Sequence, residues 1–521
     1  MLYRQWTPNE TLTPSPRSVA LGVFDGVHLG HRAVIAAARN VSPSSVAAAP
    51  LVTVLSLVGV PKEGGRLVTA DGEQAQAATL GVDEWLCVPF ESICELSPAQ
   101  FVREVLHEKL HATVVCCGYN FRFGKHGAGN AATLRELCEP LGMEVRVVPA
   151  VEREGRAISS TAVREAVSQG DMSQAMALLG RPYTVAFPVR VGNRLGSRWG
   201  FPTINQPFPE GFVCPKHGVY ASLVVLNGVQ HRAITNIGVH PTVGGTAAPQ
   251  AETYIFDYEG DLYGQAPEIQ LIRFLREECC FDTVEALQAQ IADDITAAKA
   301  LLDGDGGKAI LFDFDDTLQH RPHAFLGVAR ELLNRYLPEL TEDVREEYAR
   351  WMQEENRGGY VDPEVYFKDV CEHCGFPVEA EVLLRELRCR FPFHSELLPH
   401  AVEVLCELKR RGYRLGIVTN GPALQQNLKL DHAGIRPYVD VVLVAGTEGV
   451  QKPQAEVFYR AAQRLCAAPK DTVFVGDYPP NDIVGAQNAG MTPLYIDVHG
   501  QNGCPDGVEK ITDLQQLLDR F

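Results

Sequence analysis

The chain has 521 residues and a formal net charge of −18, and its composition is 45% hydrophobic and 21% charged. At roughly 100–200 residues per domain, this length predicts about three globular domains. A surface this acidic repels nucleic acid and anionic lipid, so we expect neither as a partner. The sequence has no run of 18 apolar residues and no signal-peptide pattern at its start. The 14 cysteines are scattered, which favours free thiols in a cytoplasmic protein.

Apolar runs and amphipathic stretches alternate in the first third of the chain. Residues 19–24, 50–57 and 113–117 are predicted strands, and residues 30–39 and 99–110 are predicted helices. Strands separated by helices pair in parallel, so this pattern predicts a doubly wound α/β sheet. We place this domain at residues 1–180.

The pattern then changes to short alternating runs that are broken by Gly and Pro. The predicted strands are residues 183–191, 218–226, 231–237 and 252–258. Many short strands with turn signals predict an antiparallel β-barrel, here at residues 181–303, and a helix at 283–302 closes this segment.

The run Asp-Gly-Asp-Gly-Gly at residues 303–307 is the clearest linker in the chain. A strand at 308–314 follows it and opens a second α/β pattern, which extends over residues 308–521. A helical block at about 324–390 interrupts this pattern and predicts an inserted cap. The predicted fold is therefore multidomain: α/β, then an antiparallel β-barrel, then α/β with a helical cap.

Residues 22–31 read Gly-Val-Phe-Asp-Gly-Val-His-Leu-Gly-His at a predicted strand-to-helix turn. Glycines allow a phosphate to approach the backbone, and a helix N-terminus favours anions. Two histidines three residues apart can hold a triphosphate and stabilise charge on its α-phosphate. A second helix start, at 158–164, offers hydroxyls and a guanidinium to phosphate oxygens. The predicted site residues are Gly22, Asp25, Gly26, His28, Gly30, His31, Ser159, Ser160 and Arg164. Each segment alone also fits a tight turn or an N-cap.

Together with Gly-Tyr-Asn-Phe-Arg-Phe-Gly at 118–124, these segments resemble the adenylyltransferase half of the bacterial bifunctional riboflavin kinase/FAD synthetase family. The resemblance covers roughly residues 15–180 and implies a Rossmann-like nucleotidyltransferase domain. It implies transfer of AMP from ATP to FMN, with His28 and His31 as catalytic residues and Asn120 at the flavin. The chain departs from the family at Asn120, where Asp is commoner, and at 54–61, which lacks the usual Phe-x-Pro-His-Pro turn.

Residues 192–205 read Gly-Asn-Arg-Leu-Gly-Ser-Arg-Trp-Gly-Phe-Pro-Thr-Ile-Asn. Glycine-rich turns followed by Thr and Asn oxygens suit Mg-ATP. With later segments at 218–220, 236–242 and 252–257, the order resembles the riboflavin kinase module of the same family across roughly 181–302. The resemblance implies that Gly192, Gly196, Thr203 and Asn205 hold Mg-ATP, that Glu252 is the base for the ribityl 5′-hydroxyl, and that Arg276 and Glu278 bind flavin. Ser197 stands where the family often has Arg, and Arg198 is a candidate substitute.

Acidic residues follow two predicted strands of the last domain. Asp313, Asp315, Thr419, Lys452, Asp477 and Asp482 occur in an order that resembles the haloacid-dehalogenase-type phosphatases over residues 308–521. Carboxylates that converge at strand ends repel each other unless a cation lies among them, so Mg²⁺ is expected, with Asp313, Asp315, Asp477 and Asp482 as ligands. In this chemistry Asp313 attacks phosphorus and Asp315 protonates the leaving oxygen. Thr419 and Lys452 bind phosphoryl oxygens. A solvated Asp-rich turn is the alternative for any single motif.

The combined prediction is an enzyme of flavin cofactor synthesis with riboflavin, FMN, ATP and a phosphate monoester as its ligands. The expected phosphatase substrate is 5-amino-6-(5-phosphoribitylamino)uracil, with FMN or a general sugar phosphate as alternatives. Tyr360, Tyr366 and Phe367 of the cap are candidates for stacking on a flat ring, against ordinary helix packing. Two rivals stay open: a catalytically silent first domain that only binds flavin or nucleotide, and a structural last domain. The sequence does not predict the oligomeric state.

Overall fold

The computed structural model describes residues 1–40, 50–60, 64–192, 200–239, 248–304, 307–359, 361–500 and 503–521. It divides into two compact units: Met1–Gly306 with Cys466–Ala468, and Gly307–Leu465 with Pro469–Phe521. None of the helices in these described ranges has the length and apolar character needed to cross a membrane.

The first unit begins with a six-stranded parallel sheet in the order β1-β4-β3-β2-β5-β6. Its strands are β1 (Leu2–Gln5), β2 (Arg17–Gly22), β3 (Leu51–Val58), β4 (Glu84–Pro89), β5 (Ala112–Gly118) and β6 (Glu144–Val148). The central strand β2 is buried along almost its whole length, as expected when helices cover both faces of a parallel sheet. The strand order reverses at β2, so the carboxyl ends of β2 and β5 lie side by side and open a crevice.

Helices connect these strands. They are Leu29–Arg39, Ala70–Ala78, Pro98–Gln100 with a π-helical continuation Phe101–Lys109, Ala131–Cys138, Ser160–Gln169 and Met172–Leu179. A short antiparallel pair, β7 (Glu152–Arg153) and β8 (Arg156–Ala157), precedes the fifth of them. The first helix begins after His28, whose ring Nδ1 accepts the backbone N–H of His31 at 3.3 Å and so caps it. The predicted α/β fold of this part is confirmed.

The second sheet is antiparallel, with six strands in the order β10-β13-β12-β11-β14-β9. The strands are β9 (Tyr183–Val185), β10 (Ile204–Pro207), β11 (Gly218–Leu226), β12 (Val229–Gly238), β13 (Gln250–Ile255) and β14 (Ile269–Arg276). Strand β11 is buried on both faces because one face joins a large core and the helix Val284–Leu302 packs on the other. The sheet is a curled half-barrel, in agreement with the predicted barrel fold, and residues 193–199 between β9 and β10 lie outside the described ranges.

The two sheets of the first unit share one hydrophobic core. Leu29 and Leu179 from the helices of the first sheet pack with Tyr183 and Tyr220 of the second. A loop strengthens the connection: the N–H of Arg66 donates to the Gly211 carbonyl at 2.7 Å, and the Arg66 carbonyl accepts the Val213 N–H at 2.9 Å. The two sheets therefore form one packed body.

The second unit contains a six-stranded parallel sheet in the order β17-β16-β15-β18-β19-β20. The strands are β15 (Ala309–Phe312), β16 (Arg414–Thr419), β17 (Val441–Val444), β18 (Thr472–Gly476), β19 (Thr492–Ile496) and β20 (Glu509–Ile511). The main helices around it are Ala401–Arg410, Ala423–His432, Ala445–Glu448, Ala455–Arg464 and Val484–Asn488. The first strand, β15, lies between β16 and β18 and is completely buried, so the strand order reverses there too.

Four helices form the predicted cap on this sheet: Arg321–Tyr336, Glu342–Glu355, Pro363–Cys374 and Ala380–Arg390. They share a hydrophobic cluster of their own. Tyr366 and Phe367 belong to this cluster, and the Tyr366 hydroxyl donates to the Met352 carbonyl at 2.6 Å. The hypothesis that these two rings stack on a substrate is therefore wrong, because burial in the cap core is their stabilising environment. Tyr360 lies outside the described residues.

Candidate active sites

A cavity of about 420 Å³ opens at the carboxyl ends of β2 and β5. Predicted site residues from three separate chain segments line it: Gly22, His28, Gly30, His31, Asn120, Ser159 and Ser160. The histidine rings stack with their centroids 3.6 Å apart. A Cβ on Gly30 would lie 3.1 Å from His28 Cε1 and 3.3 Å from the Ile158 carbonyl oxygen, so a residue without a side chain is needed for this close approach.

Three other predicted phosphate-binding residues do not line this cavity. An Arg164 guanidinium nitrogen lies 2.5 Å from Asp25 Oδ2, and Arg164 Nε donates to the Gly65 carbonyl at 2.7 Å. Asp25 Oδ1 accepts the Leu67 N–H at 2.9 Å. Gly26 has φ +81°, and a Cβ there would lie 2.8 Å from the Leu67 side chain. Asp25 and Arg164 thus hold the loop at 64–67 in place, and their phosphate binding stays a prediction.

A second, mainly apolar cavity of about 480 Å³ adjoins the first and shares Gly22, Leu57, Phe90 and Arg122 with it. Leu57 and Val60, which line the first cavity, come from the segment where the resembled family shows its Pro-His-Pro turn. The wall is therefore apolar at that point. The sequence did not predict Phe90 as a cavity residue, because an apolar side chain at a strand end carries no chemical signal.

The antiparallel sheet carries a polar row on one face. Asn205 on β10 lies opposite Glu252 on β13, and Glu252 lies opposite Asn236 on β12. Residues directly opposite each other in a sheet project to the same side, so the three side chains are neighbours. The Gln250 amide donates to Glu252 Oε1 at 2.9 Å. This register brings Glu252 to the predicted ATP-binding Asn205 from a position 47 residues further along the chain.

Glycines and a second carboxylate flank the row. A Cβ on Gly192 would lie 2.5 Å from Asn205 Nδ2, so the glycine backbone covers that amide. Asn236 Nδ2 donates to Glu278 Oε1 at 3.2 Å. Thr203 stands two residues before Asn205, just ahead of β10. Gly196 lies within 193–199, outside the described residues.

Arg276, a predicted flavin-binding residue, forms an ion pair with Asp294, and its flavin binding stays a prediction. Its Nε donates to Asp294 Oδ1 at 2.8 Å and a terminal nitrogen donates to Asp294 Oδ2 at 2.6 Å. Asp294 is buried on the helix Val284–Leu302. This bidentate pair fastens the helix to the end of β14. The hydrogen bonds to Asp294 raise the pKa of Arg276, and partial burial, which lowers that pKa, has the smaller effect.

Three carboxylates meet at the carboxyl ends of β15 and β18. Oxygen atoms of Asp313, Asp477 and Asp482 all lie within 4.8 Å of one another. Lys452 Nζ lies 2.6 Å from Asp313 Oδ1 and 2.7 Å from Asp482 Oδ1. The backbone N–H of Tyr478 donates to Asp482 Oδ2 at 3.0 Å.

The electrostatics of this cluster favour a bound cation. Burial raises the pKa of Asp477 well above its ordinary value, and the carboxylates of Asp313 and Asp482 raise it further. Burial also raises the pKa of Asp313, and the opposing effect of Lys452 does not cancel this. Three oxygen ligands whose charges destabilise each other suit a hard divalent ion such as Mg²⁺. The residues therefore fit the predicted metal.

Asp315 is not part of that group. Its two carboxylate oxygens accept hydrogen bonds from Lys429 Nζ at 2.7 and 2.6 Å, and Oδ2 accepts one from Gln426 at 2.9 Å. Burial raises the pKa of Asp315, but Lys429 and then Arg321 lower it more, so the net pKa lies below its ordinary value. The structure thus directs this carboxylate away from the predicted metal ligands and holds it ionised.

Gln426 and Lys429 are site residues that the sequence reading missed. Both lie on the helix Ala423–His432, more than 100 residues from Asp315, and Gln426 also donates to Thr419 Oγ1 at 2.7 Å. One feature of the sequence could have indicated them. Gln426 and Lys429 are three residues apart, so they share one helix face, and they follow the Thr419 motif closely.

One cavity of about 330 Å³ contains all of these groups. Asp313, Thr419, Lys452, Asp477 and Asp482 line it together with Asp315 and Lys429, and the cap contributes Arg321, Gly358 and Gly359. The four motifs thus meet in one cavity.

Comparison with known proteins assigns the two units. Family models match residues 11–162 (FAD synthetase), 179–302 (riboflavin kinase) and 308–490 (haloacid dehalogenase-like hydrolase). The chain is 35% identical over 282 residues to the bifunctional riboflavin kinase/FMN adenylyltransferase of Listeria monocytogenes, covering 53% of this chain and 89% of that protein. It is 33% identical over 288 residues to the Escherichia coli K12 protein of the same name, covering 54% and 91%.

A crystal structure described as a macrolide-efflux protein from Streptococcus pneumoniae superposes with a TM-score of 0.52 at 25% identity, covering 57% of this chain and 99% of that one. The chain belongs to the bifunctional riboflavin kinase/FMN adenylyltransferase family and carries a haloacid dehalogenase-like hydrolase domain behind that region. The resemblances that the motifs predicted are thereby confirmed.

The Arg276–Asp294 pair gives a test of its structural role. We expect Arg276→Ala and Asp294→Ala each to lower the free energy of unfolding by about 1.5–3 kcal/mol, because each removes charge-assisted hydrogen bonds. The double variant should lose little more than either single variant, as coupled residues do. Denaturant unfolding of the full chain measures this.

Arg273→Ala is the matched control, since Arg273 lies on the same strand and has no ion pair within the described part of the chain. Unchanged stability in Arg276→Ala, with a KM for riboflavin raised about tenfold or more, would support flavin binding instead.

Proposed function

We propose that the first unit phosphorylates riboflavin with ATP to give FMN and then adenylylates FMN to FAD, and that the second unit hydrolyses a phosphate monoester. Family membership over the first unit carries the first two activities. The convergence of Asp313, Lys452, Asp477 and Asp482 in one cavity carries the third.

In the proposed kinase reaction, Glu252 takes the proton from the ribityl 5′-hydroxyl while that oxygen attacks the γ-phosphorus of ATP, the bond from the γ-phosphorus to the bridging oxygen breaks, and ADP leaves. The polar row supports this role, since Asn205 lies directly opposite Glu252 and offers an oxygen to the Mg-ATP substrate. Thr203 and the glycine backbone at 192 would complete the nucleotide contacts. Glu278 is held beside the row by Asn236 and is the proposed flavin contact.

In the proposed adenylyl transfer, the FMN phosphate attacks the α-phosphorus of ATP and pyrophosphate leaves. The stacked pair His28 and His31 stands at the N-terminus of a helix in the polar cavity, where hydrogen-bond donors and the helix dipole stabilise added negative charge. The adjoining apolar cavity suits a flavin ring. The apolar wall at Leu57 and Val60 keeps one alternative open, a domain that binds its ligands without catalysis.

In the proposed hydrolysis, an Asp313 oxygen attacks phosphorus, the ester P–O bond breaks and the leaving oxygen takes a proton; water then cleaves the aspartyl-phosphate. When bound at Asp313, Asp477 and Asp482, Mg²⁺ would offset charge on the phosphoryl group. Lys452 and Thr419 are the proposed contacts of the phosphoryl oxygens. Asp315 must gain a proton before it can protonate the leaving group, and its ionised form suits activation of the water in the second step.

The proposed substrate is a ribityl phosphate, 5-amino-6-(5-phosphoribitylamino)uracil in preference to FMN. The support is the fusion to a flavin-forming unit, because hydrolysis of FMN would oppose the kinase and waste ATP, whereas the uracil compound leads toward riboflavin. FMN and general sugar phosphates are the alternatives.

For the kinase, we expect Glu252→Gln to lower kcat for FMN formation by about 10²–10⁴-fold, because the variant keeps the side-chain shape but loses the base. Chromatographic detection of FMN from riboflavin and Mg-ATP measures this. Glu268→Gln, an exposed carboxylate just before β14, is the control and should be fully active. Near-normal turnover of Glu252→Gln would remove Glu252 from this role.

For the adenylyltransferase, we expect the full chain to form FAD and pyrophosphate from FMN and ATP, and His31→Gln to slow this by about 10²–10³-fold through loss of charge stabilisation. His107→Gln, at an exposed position outside both cavities, is the control. Calorimetric binding of FMN or ATP without any FAD formation would show that the binding-only alternative is correct.

For the hydrolase, we expect the full chain, without ATP and with Mg²⁺, to release phosphate from 5-amino-6-(5-phosphoribitylamino)uracil faster than from FMN or glucose 6-phosphate. Asp313→Asn should abolish release, because an amide cannot form the acyl-phosphate, and chelation of the metal should have the same effect. Full activity in Asp313→Asn contradicts the mechanism. Preference for glucose 6-phosphate contradicts the link to flavin synthesis.

A further inference from the structure

Arg321 extends from the cap into the hydrolase cavity. It is the first residue of the cap helix Arg321–Tyr336, and its backbone N–H donates to Asp316 Oδ1 at 3.2 Å. Its side chain lines the cavity together with Gly358 and Gly359 of the same cap. A Cβ on Gly359 would overlap a guanidinium nitrogen, so this glycine allows the cap backbone to lie directly against Arg321.

The three cations of this cavity differ in their partners. Lys452 bridges Asp313 and Asp482, and Lys429 is held by both oxygens of Asp315. Within the described ranges, the Arg321 guanidinium has no carboxylate at ion-pair distance; one terminal nitrogen donates to the Asn356 amide oxygen at 3.2 Å, and Phe391 lies 5.8 Å below Cζ. Arg321 is therefore a cation of the cavity whose charge lowers the pKa of Asp315, although no carboxylate of the described residues contacts its guanidinium.

A guanidinium without a contacting carboxylate can donate N–H hydrogen bonds to a ligand. Its planar fork of N–H groups matches a pair of oxygen acceptors, such as a carboxylate or adjacent carbonyls of a ring. The phosphoryl end of the cavity already has Lys452, Thr419 and the metal-binding carboxylates. Arg321 comes instead from the cap and contacts cap residues, so it belongs to the part of the cavity that receives the leaving group.

We propose that Arg321 determines the specificity of the hydrolase unit for phosphate monoesters whose alcohol portion carries carbonyl or carboxylate oxygens. The inference rests on the proposed phosphatase function and adds to it the chemical class of the leaving group. Esters of simple hydrocarbon or polyol alcohols lack these acceptors and gain nothing from the contact.

The test compares the full-length wild type with Arg321→Gln, Arg321→Lys and the control Arg335→Gln, which removes a half-exposed arginine from the same helix. Three substrates separate the chemistry: phenyl phosphate without an acceptor, FMN with ring carbonyls, and 3-phosphoglycerate with a carboxylate. We expect Arg321→Gln to lower kcat/KM by about 10–100-fold for FMN, for 3-phosphoglycerate or for both, and by less than about threefold for phenyl phosphate. The kcat/KM of Arg321→Lys for the acceptor-bearing esters should lie between those of the wild type and Arg321→Gln. The control Arg335→Gln should have the kcat/KM of the wild type on all three substrates.

The outcomes are distinct. An equal loss on all three substrates in folded Arg321→Gln, judged by its melting temperature, overturns the inference because Arg321 would then act on the phosphoryl group. A wild type that prefers phenyl phosphate to both acceptor-bearing esters also overturns it. A wild type that, like Asp313→Asn, releases phosphate neither from these three nor from 5-amino-6-(5-phosphoribitylamino)uracil instead defeats the proposed phosphatase function.

Discussion

A buried ammonium among converging carboxylates is the interaction on which the hydrolase site depends. Lys452 is 3% exposed, and such a charge is stable in the interior only when opposite charges offset its lost hydration. Burial lowers its pKa, but Asp313 and Asp482 raise it more, so the ammonium form is retained. The same ammonium holds two of the carboxylates that face the proposed metal, Asp313 and Asp482, in place. One ion-pair network therefore balances the buried charges and also positions the active-site groups.

Sheet geometry creates this convergence. In a parallel sheet, the residues that follow neighbouring strands emerge at one edge, and the reversal of strand order at β15 leaves a crevice there for Asp313 and Asp477. The first sheet does the same at β2 and β5, which brings His28 to Asn120. The antiparallel sheet gathers its polar groups differently, through cross-strand register, which sets Asn205 beside Glu252.

The sequence predicted the site residues that stand in recognisable short motifs. It did not predict the residues that reach the site only through contacts between distant parts of the chain. Asp313 and His28 stand in short patterns of glycine, acid or histidine at a strand end, so both their location and their neighbours could be anticipated. Lys429 could not be assigned to Asp315, nor Asp294 to Arg276, because nothing near either residue in the chain specifies the partner. Tyr366 was one candidate for a substrate contact, because the sequence of an amphipathic helix does not show whether an aromatic side chain faces the helix-packing core or a ligand. The structure places it in the core of the cap.

The core shared by the first two sheets bears on how this chain can be divided and recombined. A break after residue 180 would separate Leu179 from Tyr183 and remove the backbone hydrogen bonds of Arg66 with residues 211–213. Each of the two fragments would then expose an apolar surface to water. The cluster around β15 to β20 draws all its members from the chain after Gly307. A break at that linker therefore leaves this cluster complete, whereas a break after residue 180 divides the core that the two flavin-forming parts share.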